Sequence, residues 1–138
     1  MNFIFVDSDV CLDLLLIREP FYQHSSDIFE LAYTNKIKIF VSSVIFANVY
    51  YILRQEFKDA KTKDTLIEFK KIVSVLPVGD SIIDRSLHSD FKDFEDGIQY
   101  FTALDHHMKL ILTRNLRDYK TAKIQVMTPE AYLKTLKA

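Results

Sequence analysis

Short apolar runs of β-favouring residues alternate with helical patterns along this chain, and that alternation limits the fold more than any other feature. The runs at residues 3–6, 37–41, 73–78, 110–113 and 124–126 are typical of strands that a parallel sheet buries on both faces. Helical spacing of apolar residues fills the intervals between them. The 138 residues therefore predict an α/β sandwich around a central parallel sheet, in a single domain over residues 1–138.

Polar residues mark where the predicted helices begin. Asp9 is a candidate N-cap for a first helix over residues 10–17, and Ser25 or Ser26 for the next. Later helices are predicted over residues 44–57 and 81–88. Asp93 precedes a helix that runs to about residue 104, and Thr128 precedes the last helix, with proline at its first position.

Composition excludes several classes of protein. The two glycines, Gly79 and Gly97, are too few for a Walker loop or a dinucleotide fingerprint. Cys11 is the single cysteine, which excludes disulfide frameworks and cysteine-based zinc sites. No apolar run approaches the roughly 18 residues of a membrane span, and the first residues lack the basic region of a signal peptide. We expect a cytoplasmic protein with no membrane partner.

Acidic residues gather where the predicted strands end. Asp7 follows the first strand, Asp118 lies just after the fourth, and Asp96 falls in the first turn of the helix that enters the fourth strand. The carboxyl ends of parallel strands meet at one sheet edge, which is where such sheets bind ligands. Carboxylates placed together raise each other's pKa unless a cation neutralises them. Oxygen ligands alone favour Mg²⁺ or Mn²⁺ over zinc, although each acid taken singly also fits a helix-capping role.

Asn48 interrupts the apolar stripe of the third predicted helix, formed by Ile45, Val49 and Ile52. An amide is a poor helix former and is costly to bury without partners. We therefore expect Asn48 to point inward and to form a hydrogen bond.

Four segments, in order, resemble the motifs of the PIN domain, the fold of many metal-dependent ribonucleases and of the toxin in VapBC-type toxin–antitoxin pairs. They are residues 5–15, with Asp7 after the opening strand; 41–53, with Asn48; 93–104, with Asp96; and 110–119, with Asp118. The resemblance spans nearly the whole chain. It implies a three-layer α/β/α sandwich.

The resemblance also implies a site and a reaction. Asp7, Asp96 and Asp118 become the metal ligands of a nuclease that hydrolyses RNA phosphodiesters with Mg²⁺ or Mn²⁺. Asn48 and Asn115 are catalytic candidates at positions where many family members carry acids, so this site has two fewer negative charges and a lower expected metal affinity.

Four residues near these acids are candidate substrate contacts. Arg114 and Arg117 are the preferred phosphate contacts in a basic stretch beside the last acidic motif, and Ser8 and Thr113 are placed to orient ligands or touch phosphate. The partners expected are RNA, a cognate antitoxin protein and a second copy of the chain as a homodimer. The apolar early helices, which include Leu14, Phe21 and Tyr33, are compatible with either protein partner.

Two other functions remain open. The weakened charge at Asn48 and Asn115 fits a PIN-like domain that binds RNA or a partner protein without cutting. A more distant alternative is a haloacid-dehalogenase-like phosphatase, suggested by residues 7–9, 41–42 and 79–84, but it leaves Asp96 and Asp118 without a role.

Overall fold

A single parallel sheet organises the computed structural model, which describes residues 1–120 and 122–137. Its five strands lie in the order β3-β2-β1-β4-β5. Their bounds are β1 (Asn2–Val6), β2 (Ile37–Ser42), β3 (Val73–Leu76), β4 (Leu110–Leu112) and β5 (Gln125–Met127). The chain moves outward from β1 to β3 and then returns to β4 on the other side of β1. The strand order thus reverses between β1 and β4, which is the position where open α/β sheets bind ligands.

Helices cover both faces of the sheet. They are α1 (Ser8–Leu15), α2 (Tyr22–Tyr33), α3 (Ser43–Glu56), α4 (Asp59–Lys70), α5 (Asp80–Leu87), α6 (Phe94–Asp105) and α7 (Pro129–Thr135), with a 3₁₀ turn at Leu116–Tyr119. Contacts of α1 with α2 and α3, and of α3 with α4, group these four helices, whereas α5 contacts α6. The rule that such crossovers are right-handed assigns the two groups to opposite faces. Contacts between α2 and α7 add α7 to the first face. The predicted three-layer α/β/α sandwich is confirmed.

Burial explains why the apolar runs are continuous. Ile4, Phe5 and Val6 of β1 are completely buried, because β1 is the central strand and has helices on both faces. Its neighbours pair with it in parallel register, with Phe5 opposite Phe40 of β2 and opposite Ile111 of β4. Within the described parts of the chain, no helix is both long enough and apolar enough to cross a bilayer.

The first helix begins earlier than its sequence predicts. Asp7, not Asp9, is the N-cap of α1: its side chain accepts a hydrogen bond from the Ser8 amide, and its carbonyl accepts the first helical bond from Cys11. Its own amide still donates to the Leu112 carbonyl of β4, so the strand passes directly into the helix. Asp9 is therefore already inside the first turn, and its carboxylate is free for other contacts.

The second helix also begins before the predicted serine cap. A turn in which the Phe21 amide donates to the Arg18 carbonyl leads directly into α2 at Tyr22. Ser25 consequently lies within the helix, where it is 1% exposed, and cannot act as its cap. Asp93 and Thr128, by contrast, do cap α6 and α7 as predicted, each accepting a hydrogen bond from the amide three residues later.

Candidate active site

Asp7 is fixed at the carboxyl end of β1 by three hydrogen bonds. The Ser8 amide donates to Oδ1 over 2.8 Å, and the hydroxyls of Thr113 and Tyr119 donate to Oδ2 over 3.1 and 3.0 Å. The side chain is 7% exposed. A buried carboxylate held by donors from the residue after β4 and from the 3₁₀ turn is therefore presented, in one orientation, at the point where the strand order reverses.

The Thr113 hydroxyl lies between two carboxylates. Its Oγ1 is 3.1 Å from Asp7 Oδ2 and 3.2 Å from Asp9 Oδ2, and it accepts a hydrogen bond from the Asn115 amide. A hydroxyl has one proton, so it can donate fully to only one of the two acids at a time. Thr113 thus joins Asp7 and Asp9 into one hydrogen-bonded unit.

Both acids of this unit are harder to ionise than an ordinary aspartate. Burial is the largest effect that raises the pKa of Asp7 to about 6, and repulsion from Asp9 is the second. The hydrogen bonds that Asp7 accepts act in the opposite direction. Burial also raises the pKa of Asp9, opposed chiefly by hydrogen bonds from the Arg114 and Val10 amides. Ionising Asp7 and Asp9 in the folded protein therefore costs more free energy than ionising an aspartate in water.

Asp96 brings a further carboxylate to the same edge from the opposite helical layer. It lies in the first turn of α6, where its amide donates to the capping carboxylate of Asp93. Partial burial, then the charges of Asp7, Asp93, Asp118 and Glu95, raise its pKa to about 7. Asp7 and Asp118 are thus close enough to Asp96 for their charges to raise its pKa. The three predicted metal ligands therefore interact electrostatically.

An open cavity of about 250 Å³ adjoins Asp96. Asp118 and Arg117, from the 3₁₀ turn, line it together with Lys92 and Lys120. Arg117 is exposed there, next to the acids. Carboxylates and cations that line the same cavity suit a ligand that carries both a metal ion and phosphate.

The donor set fits a hard divalent cation in its chemistry. Burial and then repulsion from neighbouring carboxylates raise the pKa of Asp96, and a bound cation would offset the repulsion. Among the residues the structure describes, no three His, Cys, Asp or Glu side chains are grouped closely enough to bind one ion together. Mg²⁺ keeps several water ligands and needs only one or two carboxylates, so the arrangement is compatible with it.

The two asparagines are placed differently from the acids. Asn48 is half-buried on α3, and its side chain forms no hydrogen bond with any described residue, so the expected hydrogen bond is not found among them. The buried amide is instead that of Gln99 on α6, which accepts a hydrogen bond from the Ser42 hydroxyl. Asn115 is exposed and precedes the 3₁₀ turn. Its backbone amide donates a hydrogen bond to the Thr113 hydroxyl.

The side chain of Arg114 forms an ion pair with Asp13. Its Nε donates to Asp13 Oδ2 over 2.6 Å and its second guanidinium nitrogen to Asp13 Oδ1 over 3.1 Å, while its amide holds Asp9. Its role as a phosphate contact remains a prediction. Ser8, half-buried, is tied to Asp7 through its amide.

Sequence analysis missed Asp13, Tyr119 and Gln99. Asp13 is completely buried on α1. The signal for Asp13 is visible in the sequence, because an acid between Leu12 and Leu14 in a strongly apolar helix requires a buried partner. Tyr119 and Gln99 have no comparable signal, since both residue types are common on amphipathic surfaces.

A protein family and a curated relative match most of the chain. A family model described as PIN domain matches residues 4–117. Ribonuclease VapC1 of Aquifex aeolicus is 28% identical over 134 residues, which cover 94% of this chain and 92% of that protein.

Solved structures share the fold at low sequence identity. A chain of DNA-bound VapBC from Salmonella typhimurium superposes with a TM-score of 0.70 at 14% identity, covering 94% of this chain and 99% of that one. A chain of a toxin–antitoxin complex from Klebsiella pneumoniae gives a TM-score of 0.68 at 20% identity, covering 91% and 97%.

Proposed function

The chain belongs to the PIN domain family, and on that premise we propose that it is a metal-dependent endoribonuclease, the toxin of a toxin–antitoxin pair. One observation carries the proposal: the buried Asp7 carboxylate is held at the strand-order reversal, within electrostatic reach of Asp96. The 28% identical relative named as a ribonuclease supports the reaction class.

Asp7, Asp96 and Asp118 are the acids that would surround Mg²⁺ or Mn²⁺, with one or two of them as direct ligands and the rest acting through its water ligands. When bound, such an ion polarises a phosphate and lowers the pKa of a coordinated water. Asp7 is oriented for this by Thr113 and Tyr119, which occupy Oδ2 and leave only Oδ1, already bonded to the Ser8 amide, with spare acceptor capacity. Asp96, which is more accessible than Asp7, is suited to accept the proton of the attacking water at its carboxylate.

RNA is the proposed substrate, and Arg117 is its preferred phosphate contact. Arg117 is exposed in the cavity beside Asp96 and Asp118, whereas Arg114 is paired with Asp13. The cations that line this cavity let a protein of net charge −1 bind a polyanion locally. Thr113 is completely buried between two acids, so it acts by positioning them.

A cognate antitoxin is the proposed protein partner. Similar folds occur in a VapBC complex and a toxin–antitoxin complex, which supports a partner of that kind. Large apolar side chains of the early helical region are accessible to it: Ile17 is 62% exposed and Tyr33 74% exposed. A homodimer through the same region and a cytoplasmic location remain part of the proposal.

A domain that binds without cutting is the second candidate. It is favoured by Asn48 and Asn115, neither of which adds charge to the acids, and by the lack of three grouped ligands within the described residues. The phosphatase alternative is not carried forward, because membership of the PIN family accounts for Asp96 and Asp118 and the phosphatase assignment does not.

Cleavage of labelled single-stranded RNA distinguishes the candidates. The purified protein is assayed with Mn²⁺, Mg²⁺ or chelator, beside Asp7→Asn and Asp96→Asn. Metal-dependent cutting that both substitutions abolish supports the ribonuclease. Cutting equal in all three proteins reveals a contaminant, and binding without cutting supports the second candidate.

A further inference from the structure

We propose that a cavity beside the acids binds one nucleobase of the RNA strand, an inference that rests on the proposed ribonuclease function. The cavity has a volume of about 250 Å³ and lies between α1, α2, α7 and the loop after β4. Side chains of several chemical types line it: Asp13, Phe21, His24, Ser25, Arg114 and Glu130.

Arg114 connects this cavity, which we call the base cavity, to the acidic site. Its backbone amide donates to Asp9 Oδ2 over 2.9 Å, while its guanidinium lines the base cavity. One residue therefore contacts both places. A nucleotide whose phosphate lies at the acids has its base, or that of a neighbouring nucleotide, within reach of the base cavity.

A flat stacking surface is present in the base cavity. The Arg114 guanidinium lies 3.9 Å from the centre of the Phe21 ring, and its two hydrogen bonds to Asp13 fix its plane. Phe21 is 38% exposed. Guanidinium planes and aromatic rings are the surfaces on which proteins stack unpaired bases, so an outer face of the Phe21–Arg114 stack is a platform of the required kind.

A hydrogen-bonding group without a partner lies next to this platform. Ser25 is 1% exposed, and its Oγ has no hydrogen-bond partner in the described structure. Leaving a buried hydroxyl unsatisfied is unfavourable, and native structures normally satisfy such groups. The edge of a base carries both donors and acceptors and would satisfy it.

The charge in the base cavity indicates which bases are preferred. Asp13 is already bonded to Arg114, whereas Glu130 is exposed and only loosely paired with Lys134 at 3.6 Å. A carboxylate accepts hydrogen bonds and donates none. Bases with an exocyclic amino group are therefore expected to bind better than uracil.

The test uses short oligouridines that carry one central A, C, G or U. Their binding is measured by fluorescence anisotropy in Ca²⁺, and cleavage of the same RNAs is measured in Mn²⁺. Ser25→Ala removes the unpaired hydroxyl, and Phe21→Leu removes the stacking ring. Thr62→Val is the matched control, because Thr62 on α4 also has a buried hydroxyl without a partner among the described residues. Glu130→Gln is matched by Glu68→Gln, which also alters an exposed ion pair.

The wild type is expected to bind the amino-bearing RNAs more tightly than oligouridine. Phe21→Leu should weaken all binding about tenfold. Ser25→Ala and Glu130→Gln should reduce the preference about threefold, and both control variants should retain it. Urea unfolding confirms that each variant is folded, and Ser25→Ala should be as stable as wild type because it loses no bond.

The outcomes separate this proposal from the ribonuclease proposal. Base-dependent binding without metal-dependent cutting contradicts the ribonuclease and retains the base cavity. Cutting with a preference that the three variants leave unchanged overturns the base cavity and retains the ribonuclease. If the cavity instead receives a side chain of a protein partner, the three variants also leave the base preference unchanged, and the base cavity is overturned. RNA that is neither bound nor cut contradicts both proposals.

Discussion

Asp13 of α1 and Arg114 of the loop after β4 form a two-point ion pair across 101 residues of sequence. The Asp13 side chain is 1% exposed and that of Arg114 27% exposed. The pair fixes this loop against α1, and the Arg114 amide in turn holds Asp9. A buried charge pair thus positions one edge of the candidate site.

Breaking this pair is expected to destabilise the protein. Asp13→Asn leaves the Arg114 guanidinium without its counter-charge in a partly buried place, so we expect the free energy of unfolding to fall by about 3 kcal/mol. Asp105→Asn, in the surface pair with Arg85, is the matched control and should cost about 0.5 kcal/mol. Urea denaturation measures both, and equal losses would contradict the assigned role of Asp13.

The stability of the metal-free protein should fall as the pH rises. Folding raises the pKa values of Asp7 and Asp96 from 3.8 to about 6 and about 7. Between pH 4 and 7 the folded state therefore binds more protons than the unfolded state, and stability present below pH 4 is lost by pH 7 to 8. For Asp7 the loss is on the order of 3 kcal/mol.

Thermal unfolding in chelator at pH 5, 6, 7 and 8 measures this slope. Asp96→Asn should flatten it, whereas Asp64→Asn, at an exposed position on α4, should leave it unchanged. A slope that Asp96→Asn does not alter would show that repulsion among these acids is not its origin.

Divalent metal should restore the lost stability, and more so at high pH. Binding requires ionised carboxylates, so Mg²⁺ or Mn²⁺ competes with protons at Asp7 and Asp96. At a concentration one hundred times the dissociation constant, the gain is about 2.7 kcal/mol. We expect the rise in melting temperature to be larger at pH 8 than at pH 5 and absent in Asp7→Asn, and a metal effect that persists in that variant would place the ion elsewhere.

Tyr119→Phe tests how Asp7 is positioned. The Tyr119 hydroxyl lowers the pKa of Asp7 by donating to Oδ2, so its removal should raise that pKa and weaken metal binding at pH 6 to 7. The loss of stability should be about 1 kcal/mol. Tyr132→Phe removes a hydroxyl that accepts from the Asn2 amide, and this control should leave metal binding unchanged.

Asn48→Glu tests whether position 48 belongs to the site. If it does, an added carboxylate increases the attraction for a hard cation, and Mg²⁺ should bind several-fold more tightly at pH 8. Ala47→Glu adds the same charge at the neighbouring exposed position of α3 and should have little effect. Calorimetric titration with Mg²⁺ compares them, and equal affinities would exclude position 48 from the site.

Local patterns were sufficient for the order of elements. Continuous apolar runs mark strands that helices cover on both faces, so β1 and β2 lie within a residue of their predicted positions. The first residue of each helix was harder to predict from the sequence than the order of the elements. Asp7 and Asp9 are both good capping residues, and only the bond from the Asp7 amide to Leu112 of β4 decides that the helix begins at Ser8.

The sequence by itself determined that Asp7 and Thr113 share one edge of the sheet, because residues that follow parallel strands emerge on the same side. Only the tertiary structure decided the partners of these side chains. Tyr119 bonds to Asp7, Gln99 to Ser42 and Arg114 to Asp13, across 112, 57 and 101 residues. Such contacts depend on which helix faces meet over the sheet, and that is set by packing of the whole core rather than by the spacing of neighbours along the chain.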